Sequence, residues 1–220
     1  MSAPAIGVYL VTDPDLTDRH GHGVLAVVRA AVAAGVRTVQ VRDKAASARD
    51  LLALSAAVAD AVGDRALVVV DDRLDVVLAA RRAGHRVAGV HLGQSDVPAE
   101  AARALLGPDA HVGLTANTPE HLAAVHRLPH GTVDLLGVGV VHPTTTKPDH
   151  PPALGVAGFA RIAAATDLPC VAIGGVGLDD VPALRAAGAA GVAVVSGICA
   201  APDPGAAAAA FVDAWAGGAR

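Results

Sequence analysis

The sequence has 220 residues, of which 53% are hydrophobic and 17% are charged, and its formal net charge is −4. This composition excludes a disordered chain, and the length is sufficient for one domain with a large buried core. Lysine and arginine are scattered along the chain, so no basic stripe indicates a nucleic-acid partner.

Short β-branched runs alternate with Ala-rich and Leu-rich helical stretches along the whole chain. The predicted strands are 8–11, 38–41, 67–70, 87–91, 112–114, 135–138, 170–173 and 192–195. The predicted helices are 24–33, 48–62, 74–83, 99–106, 119–126, 158–165, 181–187 and 205–214. Eight such units predict an α/β fold, a single-domain (β/α)8 TIM barrel over residues 1–220. An open doubly wound sheet is the alternative, but the first strand is not followed by G-x-G-x-x-G.

Two sequence regions and the two cysteines bear on where the protein is located. Residues 1–4 have no basic region, so we expect no signal peptide. The uncharged stretch 186–202 is interrupted by three glycines, and we interpret it as a turn, a buried strand and a second turn. Cys170 and Cys199 have no second pair with which to form a metal or disulfide framework, and we interpret them as buried thiols in a reducing compartment. These features predict a cytoplasmic protein without a membrane partner.

Polar residues follow the second predicted strand at the end where barrel enzymes place their active sites. Gln40, Arg42 and Lys44 are alternate residues, so their side chains point to the same side of the strand. Two cations on the lumen side are costly unless an anion lies opposite them. The pattern therefore favours an anion site, and a solvated strand end is the alternative.

Carboxylates follow the next two strands. Asp71 and Asp72 end the third strand, and Asp96 lies just beyond the fourth. Carboxylate oxygens at neighbouring strand ends are typical of a Mg²⁺ site that is completed by substrate phosphate oxygens. The alternative is that Asp72 caps the following helix and that Asp96 begins a turn before Pro98.

The remaining strand ends provide hydroxyl groups and glycines. The fifth strand ends at Thr115, and the sixth leads into a Pro-rich stretch, 143–152, which contains Thr144, Thr145, Thr146 and Lys147. The seventh strand ends in Gly174-Gly175 and the eighth in Ser196-Gly197. Glycines at such ends let backbone N–H groups approach a phosphate closely. These ends predict a phosphate site, although the threonine loop alone could be a solvated turn.

Taken together, these motifs resemble the thiamine-phosphate synthase family. The matching segments are Gln40-Val41-Arg42-Asp43-Lys44, Val70-Asp71-Asp72-Arg73, Gly89-Val90-His91-Leu92-Gly93-Gln94-Ser95-Asp96, Gly137-Val138-Gly139, Pro143-Thr144-Thr145-Thr146-Lys147, Ala172-Ile173-Gly174-Gly175 and Gly188-Ala189-Ala190-Gly191-Val192-Ala193-Val194-Val195-Ser196. The resemblance implies a transferase that joins a hydroxymethylpyrimidine diphosphate to a thiazole phosphate, carboxylated or not, and releases diphosphate. Its partners would then be these small molecules, and the oligomeric state stays open.

The resemblance also implies a role for each matching residue. Gln40, Arg42, Lys44, Asp71 and Lys147 would bind the pyrimidine and its diphosphate. Asp72 and Asp96 would bind Mg²⁺, and Thr115 would offer its hydroxyl to the pyrimidine. Thr144, Thr145, Thr146, Gly175, Val195 and Ser196 would hold the thiazole phosphate. The residues expected to act on the reacting groups are Arg42, Lys44, Thr115 and Lys147.

The chain departs from the family pattern at four positions. Asp71 stands where the family usually has Asn, Thr115 where Ser is usual, Val140 where Pro is common, and Asn117 where many relatives have His. A thiazole tautomerase or a sugar-phosphate isomerase on the same barrel is an alternative, and each requires a group that moves a proton. A catalytically silent barrel that only binds a phosphorylated ligand is the alternative from another functional class, and Asp71 is its best support.

Overall fold

The computed structural model describes residues 6–144 and 152–217. Its strands are β1 (Gly7–Val11), β2 (Thr38–Val41), β3 (Leu67–Asp71), β4 (Gly89–Leu92), β5 (His111–Thr115), β6 (Leu135–Gly139), β7 (Cys170–Ile173) and β8 (Gly191–Val194). Each strand pairs in parallel with the next, and β8 pairs with β1, so the sheet is closed. The predicted (β/α)8 barrel is therefore confirmed.

Helices surround this barrel. They are α1 (Pro14–Thr17), α2 (Val24–Ala33), α3 (Ala48–Val62), α4 (Leu74–Arg82), α5 (Ala99–Leu106), α6 (Pro119–His126), α7 (Gly155–Ala163), α8 (Val181–Ala186), α9 (Ser196–Cys199) and α10 (Pro204–Ala216). Short 3-10 turns occupy Asp18–His20, Gly63–Arg65 and Leu178–Asp180. Four predictions need correction. The strand expected at 87–91 is Gly89–Leu92, and the helix expected at 158–165 is Gly155–Ala163. The short helix α1 was not expected, and the second turn expected before residue 202 is the one-turn helix α9.

Local capping explains several helix starts. The side chains of Ser47, Thr118 and Asp203 each accept a hydrogen bond from a backbone N–H in the first turn of the helix that follows. Proline occupies the first turn of α6 and α10, where its missing N–H costs no helical hydrogen bond. These helices begin where capping residues and prolines occur, which is why their starts were predictable.

The barrel lumen is filled by a small apolar cluster of its own. It comprises Tyr9, Val11, Val69, Leu135, Val171 and Ala193. Apolar side chains on the opposite face of each strand pack against the surrounding helices, as the two-residue period of a strand requires. The polar residues of interest lie one step further along the same inward-facing rows, at the carboxyl ends of the strands. The lumen cluster therefore forms the floor of the site.

Two expectations concern the cysteines and the membrane. Cys170 and Cys199 are free and buried, and burial raises the pKa of their thiols to about 11 and about 12. None of the described helices combines the length and hydropathy that a membrane crossing needs.

Candidate active site

The β2 residues form the cationic side of the barrel mouth. Gln40 is 4% exposed, and its Nε2 donates a hydrogen bond to Tyr9 Oη at 3.0 Å. The Arg42 guanidinium lies between two carboxylates, 3.6 Å from Asp71 and 3.7 Å from Asp13. Arg42 is thereby held in the mouth rather than extended into solvent, with a side-chain exposure of 17%.

Lys44 extends this side outward. Its Nζ lies 3.0 Å from Asp71 Oδ2 and also forms an ion pair with Asp72. Burial acts to lower the pKa of Lys44, but the hydrogen bond to Asp72 and the charge of Asp71 raise it overall. Lys44 is therefore a protonated cation shared between two carboxylates. Its side chain is still 53% exposed, so an incoming anion can reach it.

Asp71 is enclosed by the charges around it. Its side chain is 12% exposed, and burial together with the charge of Asp72 raises its pKa, while Lys44 and Arg42 act to lower it. Asp71 thus forms ion pairs with Arg42 and Lys44, the two cations that the sequence predicts for binding an anionic substrate. The Asn that is usual in the family at this position is neutral and would form no ion pair with these cations.

Asp72 has an uncommon backbone conformation. Its φ of 58° lies in the left-handed region, which residues other than glycine rarely adopt. The alternative that Asp72 caps the next helix is wrong, because the N-cap position of α4 is Arg73 and has no side-chain cap. The Asp72 carboxylate instead bonds to Lys44 across the mouth.

Asp96 brings a second carboxylate to Asp72. Burial raises the pKa of Asp96, and the hydrogen bonding and charge of Asp72 add to this, so the two carboxylates lie against each other. Asp96 Oδ2 also accepts a hydrogen bond from the Gly93 N–H at 2.6 Å, so Asp96 closes a turn that starts at Gly93, and the alternative that it begins a turn before Pro98 is wrong. In the part of the chain that the structure describes, no group of three or more His, Cys, Asp or Glu could hold a metal ion. Two adjoining carboxylates nevertheless fit a hard cation such as Mg²⁺, which takes one or two protein carboxylates and completes its shell with water and phosphate oxygens.

Thr115 is fixed from two sides at the end of β5. Its hydroxyl lies 3.1 Å from His91 Nε2, and its carbonyl accepts a hydrogen bond from the Gln94 amide. The His91 ring lies in the lumen over Gly113 and Gly137, since a Cβ at either glycine would collide with it. The space left by these two glycines therefore positions His91, and through it the Thr115 hydroxyl.

The opposite side of the mouth is built mainly from backbone. Gly174 and Gly175 have φ values of 90° and 67°, which glycine adopts without cost. A Cβ at Gly175 would lie 2.8 Å from the Cβ of His142, so the chain after β6 rests directly on the end of β7. His142 Nε2 lies 2.9 Å from Asp180 Oδ1, which ties the same segment to the 3-10 turn after β7.

The predicted phosphate-binding residues lie around this contact to different extents. Thr144 begins the loop just beyond His142, whereas Thr145, Thr146 and Lys147 lie outside the described residues. Val195 and Ser196 form the N-terminus of α9, whose first N–H groups have no acceptor within their own helix. The structure thus brings Gly175, Thr144 and the start of α9 to the strand ends from β6 to β8.

Asn117 has a structural partner of its own. Its Oδ1 accepts a hydrogen bond from the backbone N–H of Gly139 at 3.1 Å, which joins the end of β5 to the end of β6. An amide does not titrate near neutral pH, so this position cannot move a proton as a histidine would.

Four residues around the site had no predicted role. Asp13 forms an ion pair with Arg42, and Tyr9 accepts a hydrogen bond from Gln40. His91 contacts Thr115, and His142 contacts Asp180 and so holds the chain after β6 in place. Tyr9 is the middle residue of β1, and Asp13 lies two residues beyond the end of this strand. An inspection of β1 for inward-facing polar residues would have found both.

Comparisons with known proteins show the family of this chain. A family model described as thiamine monophosphate synthase matches residues 8–198. The chain belongs to this family. A thiamine-phosphate synthase from Corynebacterium efficiens is 49% identical over 84% of the chain and 87% of its own length. One from Azorhizobium caulinodans is 42% identical over 90% of the chain and 89% of its own length.

A solved structure gives the same relationship in three dimensions. The thiamine phosphate pyrophosphorylase from Pyrococcus furiosus superposes with a TM-score of 0.82 at 28% identity, covering 97% of this chain and 96% of that one. As a member of the thiamine monophosphate synthase family, the chain is a transferase of thiamine biosynthesis that acts on small molecules. The family, fold and enzyme class predicted from the sequence are confirmed.

Proposed function

We propose that the enzyme joins 4-amino-2-methyl-5-(diphosphooxymethyl)pyrimidine to 4-methyl-5-(2-phosphooxyethyl)thiazole, or to its carboxylated form, and produces thiamine phosphate and diphosphate. The observation that supports this most is the division of the mouth. Ion-paired side chains line the ends of β2 and β3, with the Asp96 carboxylate beside them after β4, and backbone glycines with a helix start line β6 to β8. Such a mouth suits two anionic substrates held on opposite sides.

The diphosphate would bind on the side of β2 to β4. Arg42 and Lys44 are already held in this region, so they would neutralise the diphosphate without first being ordered. By the family resemblance, Lys147 would reach the same group from the loop after β6. The binding anion would have to displace Asp71 from both described cations.

Asp72 and Asp96 would hold Mg²⁺ through their adjoining carboxylates. The bound cation would neutralise charge as the diphosphate leaves. Lys44 now stabilises Asp72, and it would turn from that carboxylate toward the phosphate oxygens. The left-handed backbone of Asp72 fits this role, because backbone strain is concentrated at functional sites.

The pyrimidine ring would lie over the lumen floor between Gln40 and Thr115. Gln40 is buried below the cations, and the Thr115 hydroxyl is oriented by His91. Asp71 would lie beside the diphosphate. Both Gln40 and Thr115 offer hydrogen bonds to a polar heterocycle whose methylene group faces the diphosphate site.

The thiazole phosphate would be held by Gly175, Val195 and Ser196 and, by the family resemblance, by Thr144, Thr145 and Thr146. Backbone N–H groups at a glycine-rich strand end and a helix start are suited to a phosphate. The phosphate keeps its charge throughout the reaction, so the protein has to position it rather than stabilise its departure.

The chemistry follows from this arrangement. The bond between the pyrimidine methylene carbon and the diphosphate oxygen breaks, and the electron pair leaves with the diphosphate. The thiazole nitrogen then donates its own electron pair to the methylene carbon, and it has no proton to lose. The protein therefore needs to align the two rings and stabilise the leaving anion, and it needs no covalent nucleophile.

Incubation of the purified protein with both substrates and Mg²⁺ tests the proposal. Thiamine phosphate and diphosphate are expected in equal amounts, and chelation of the metal should stop their formation. Binding of the thiazole phosphate without any product would show a silent barrel, and conversion of a thiazole tautomer alone would show a tautomerase. Asn117 argues against the tautomerase, since its amide bonds to the backbone and does not titrate.

A further inference from the structure

A buried hydrogen bond joins two residues in neighbouring layers of the lumen. Gln40 Nε2 donates to Tyr9 Oη at 3.0 Å, and Tyr9 is 2% exposed. Both residues lie at the floor of the site, where the pyrimidine ring is proposed to rest. Tyr9 is the only tyrosine in the sequence. Burying its hydroxyl in a purely apolar floor would cost free energy unless the hydroxyl is hydrogen-bonded.

This hydrogen bond fixes which end of the Gln40 amide faces the substrate. In the strand register, Gln40 is opposite Val11 and Thr38 is opposite Tyr9, so Tyr9 lies one layer further from the mouth. The nitrogen and oxygen of an amide point away from each other. With Nε2 held down on Tyr9, the oxygen Oε1 is directed toward the mouth, and no hydrogen bond to it is found within the described part of the chain.

A nearby charge explains why the tyrosine accepts rather than donates. A phenol hydroxyl can do either, and its hydrogen rotates toward the nearest acceptor or negative charge. Burial raises the pKa of Tyr9, the hydrogen bond from Gln40 lowers it, and the charge of Asp71 raises it further. A hydroxyl hydrogen turned toward the charge of Asp71 would leave a lone pair of Tyr9 Oη for Gln40.

We propose that Tyr9 is a positioning residue that sets the orientation of the Gln40 amide, so that the site presents an acceptor and selects a pyrimidine with an exocyclic amino group over one with an oxo group. The inference rests on the proposed function, because it places the pyrimidine above Gln40. Recognition then depends on a residue that lies one layer below the ring and does not touch it.

Tyr9→Phe tests this with little change in packing, since only the hydroxyl is removed. The measurement is calorimetric binding of the 4-amino pyrimidine diphosphate and of its 4-oxo analogue, with Mg²⁺ and without the thiazole. The natural enzyme should prefer the amino compound by at least about tenfold. In Tyr9→Phe the amide can turn over, and this preference should fall by about threefold to tenfold.

Thr38→Val is the matched control, because it removes a hydroxyl from a buried residue of the same strand row as Gln40. It should leave the amino-to-oxo preference unchanged. Asp71→Asn is a second variant that leaves Tyr9 in place, and it should reduce the preference less than Tyr9→Phe does. A preference that stays at the natural value in Tyr9→Phe would overturn the inference, and so would an equal loss in Thr38→Val.

The readout is independent of turnover. If the natural enzyme makes no thiamine phosphate, the proposed function fails, and that result comes from the assay described above. If it makes thiamine phosphate and Tyr9→Phe keeps its preference, the inference on Tyr9 alone is wrong.

Discussion

The two sides of the barrel mouth present different kinds of groups to an anion. On the side of β2 to β4, Arg42, Lys44, Asp71 and Asp72 form ion pairs with one another. On the side of β6 to β8, the groups available are the backbone of Gly174, Gly175 and the start of α9, and both glycines have positive φ values. The first side therefore offers charged side chains, whose ion pairs can rearrange when an anion binds. The second side offers the dipoles of backbone groups, which stay in place.

This difference corresponds to what each anion has to do in the proposed reaction. A departing diphosphate gains charge as its bond breaks, so cations that are already held in place and a metal site stabilise it most where stabilisation raises the rate. A phosphate that only anchors its substrate needs a specific position and must later be released with the product. Neutral backbone donors provide the position without strong electrostatic attraction.

The largest effect is expected at Asp72. Asp72→Asn keeps a side chain that tolerates the left-handed backbone and removes the charge that would bind the metal. Turnover should fall by roughly 100-fold or more, with little change in the KM for the thiazole phosphate. Asp75→Asn is the matched control, since Asp75 forms an exposed ion pair with Arg73 on α4 and should leave the steady-state rate unchanged. Full activity of Asp72→Asn at low Mg²⁺ would contradict the proposed metal site on this side of the mouth.

A smaller effect is expected on the other side, at Gly175. Gly175→Ala introduces a Cβ in a left-handed conformation, against the chain at His142. The KM for the thiazole phosphate should rise by about 10-fold to 100-fold, and the KM for the pyrimidine diphosphate should change much less.

Gly177→Ala provides the control for that variant. Its φ is −102°, and the nearest atom to an added Cβ is 3.6 Å away, so the substitution adds the same methyl group without strain. If both variants changed both KM values equally, the division of the mouth between the two substrates would not hold.

The smallest effect, and the only improvement, is expected at Asp71. Asp71→Asn removes the carboxylate that occupies Arg42 and Lys44. The KM for the pyrimidine diphosphate should fall by roughly threefold to tenfold, because the substrate no longer competes for these cations. Steady-state kinetics at low and high salt would check this. An increase in KM would instead place Asp71 among the groups that bind substrate or metal.

Much of the scaffold could be predicted from the sequence. The bounds of Thr38–Val41, Cys170–Ile173 and several helices follow from apolar runs that end at Gly, Pro or capping residues. The cationic and acidic sides of the mouth were also predictable, because neighbouring strands in chain order become neighbours in a parallel barrel. Two short helices were missed. The α1 and α9 helices are single turns, too short to show a periodic pattern.

The finer geometry of the site depends on register and backbone conformation, which the sequence does not show directly. The pairing of Gln40 with Tyr9 depends on how β1 and β2 are staggered. The left-handed backbone of Asp72 is unusual for a residue other than glycine, and no local pattern marks it. The place of His91 depends on two glycines in other strands, Gly113 and Gly137, whose lack of side chains makes room for the ring.

The central claim is that the two anions occupy separate sides of one mouth. The most direct test is to titrate the thiazole phosphate into the enzyme with and without saturating Mg²⁺ and inorganic diphosphate. Separate sites predict that the Kd of the thiazole phosphate changes by less than about twofold, because diphosphate would occupy only the side of β2 to β4. Competition between the two ligands, with a Kd that rises in proportion to the diphosphate concentration, would contradict the account.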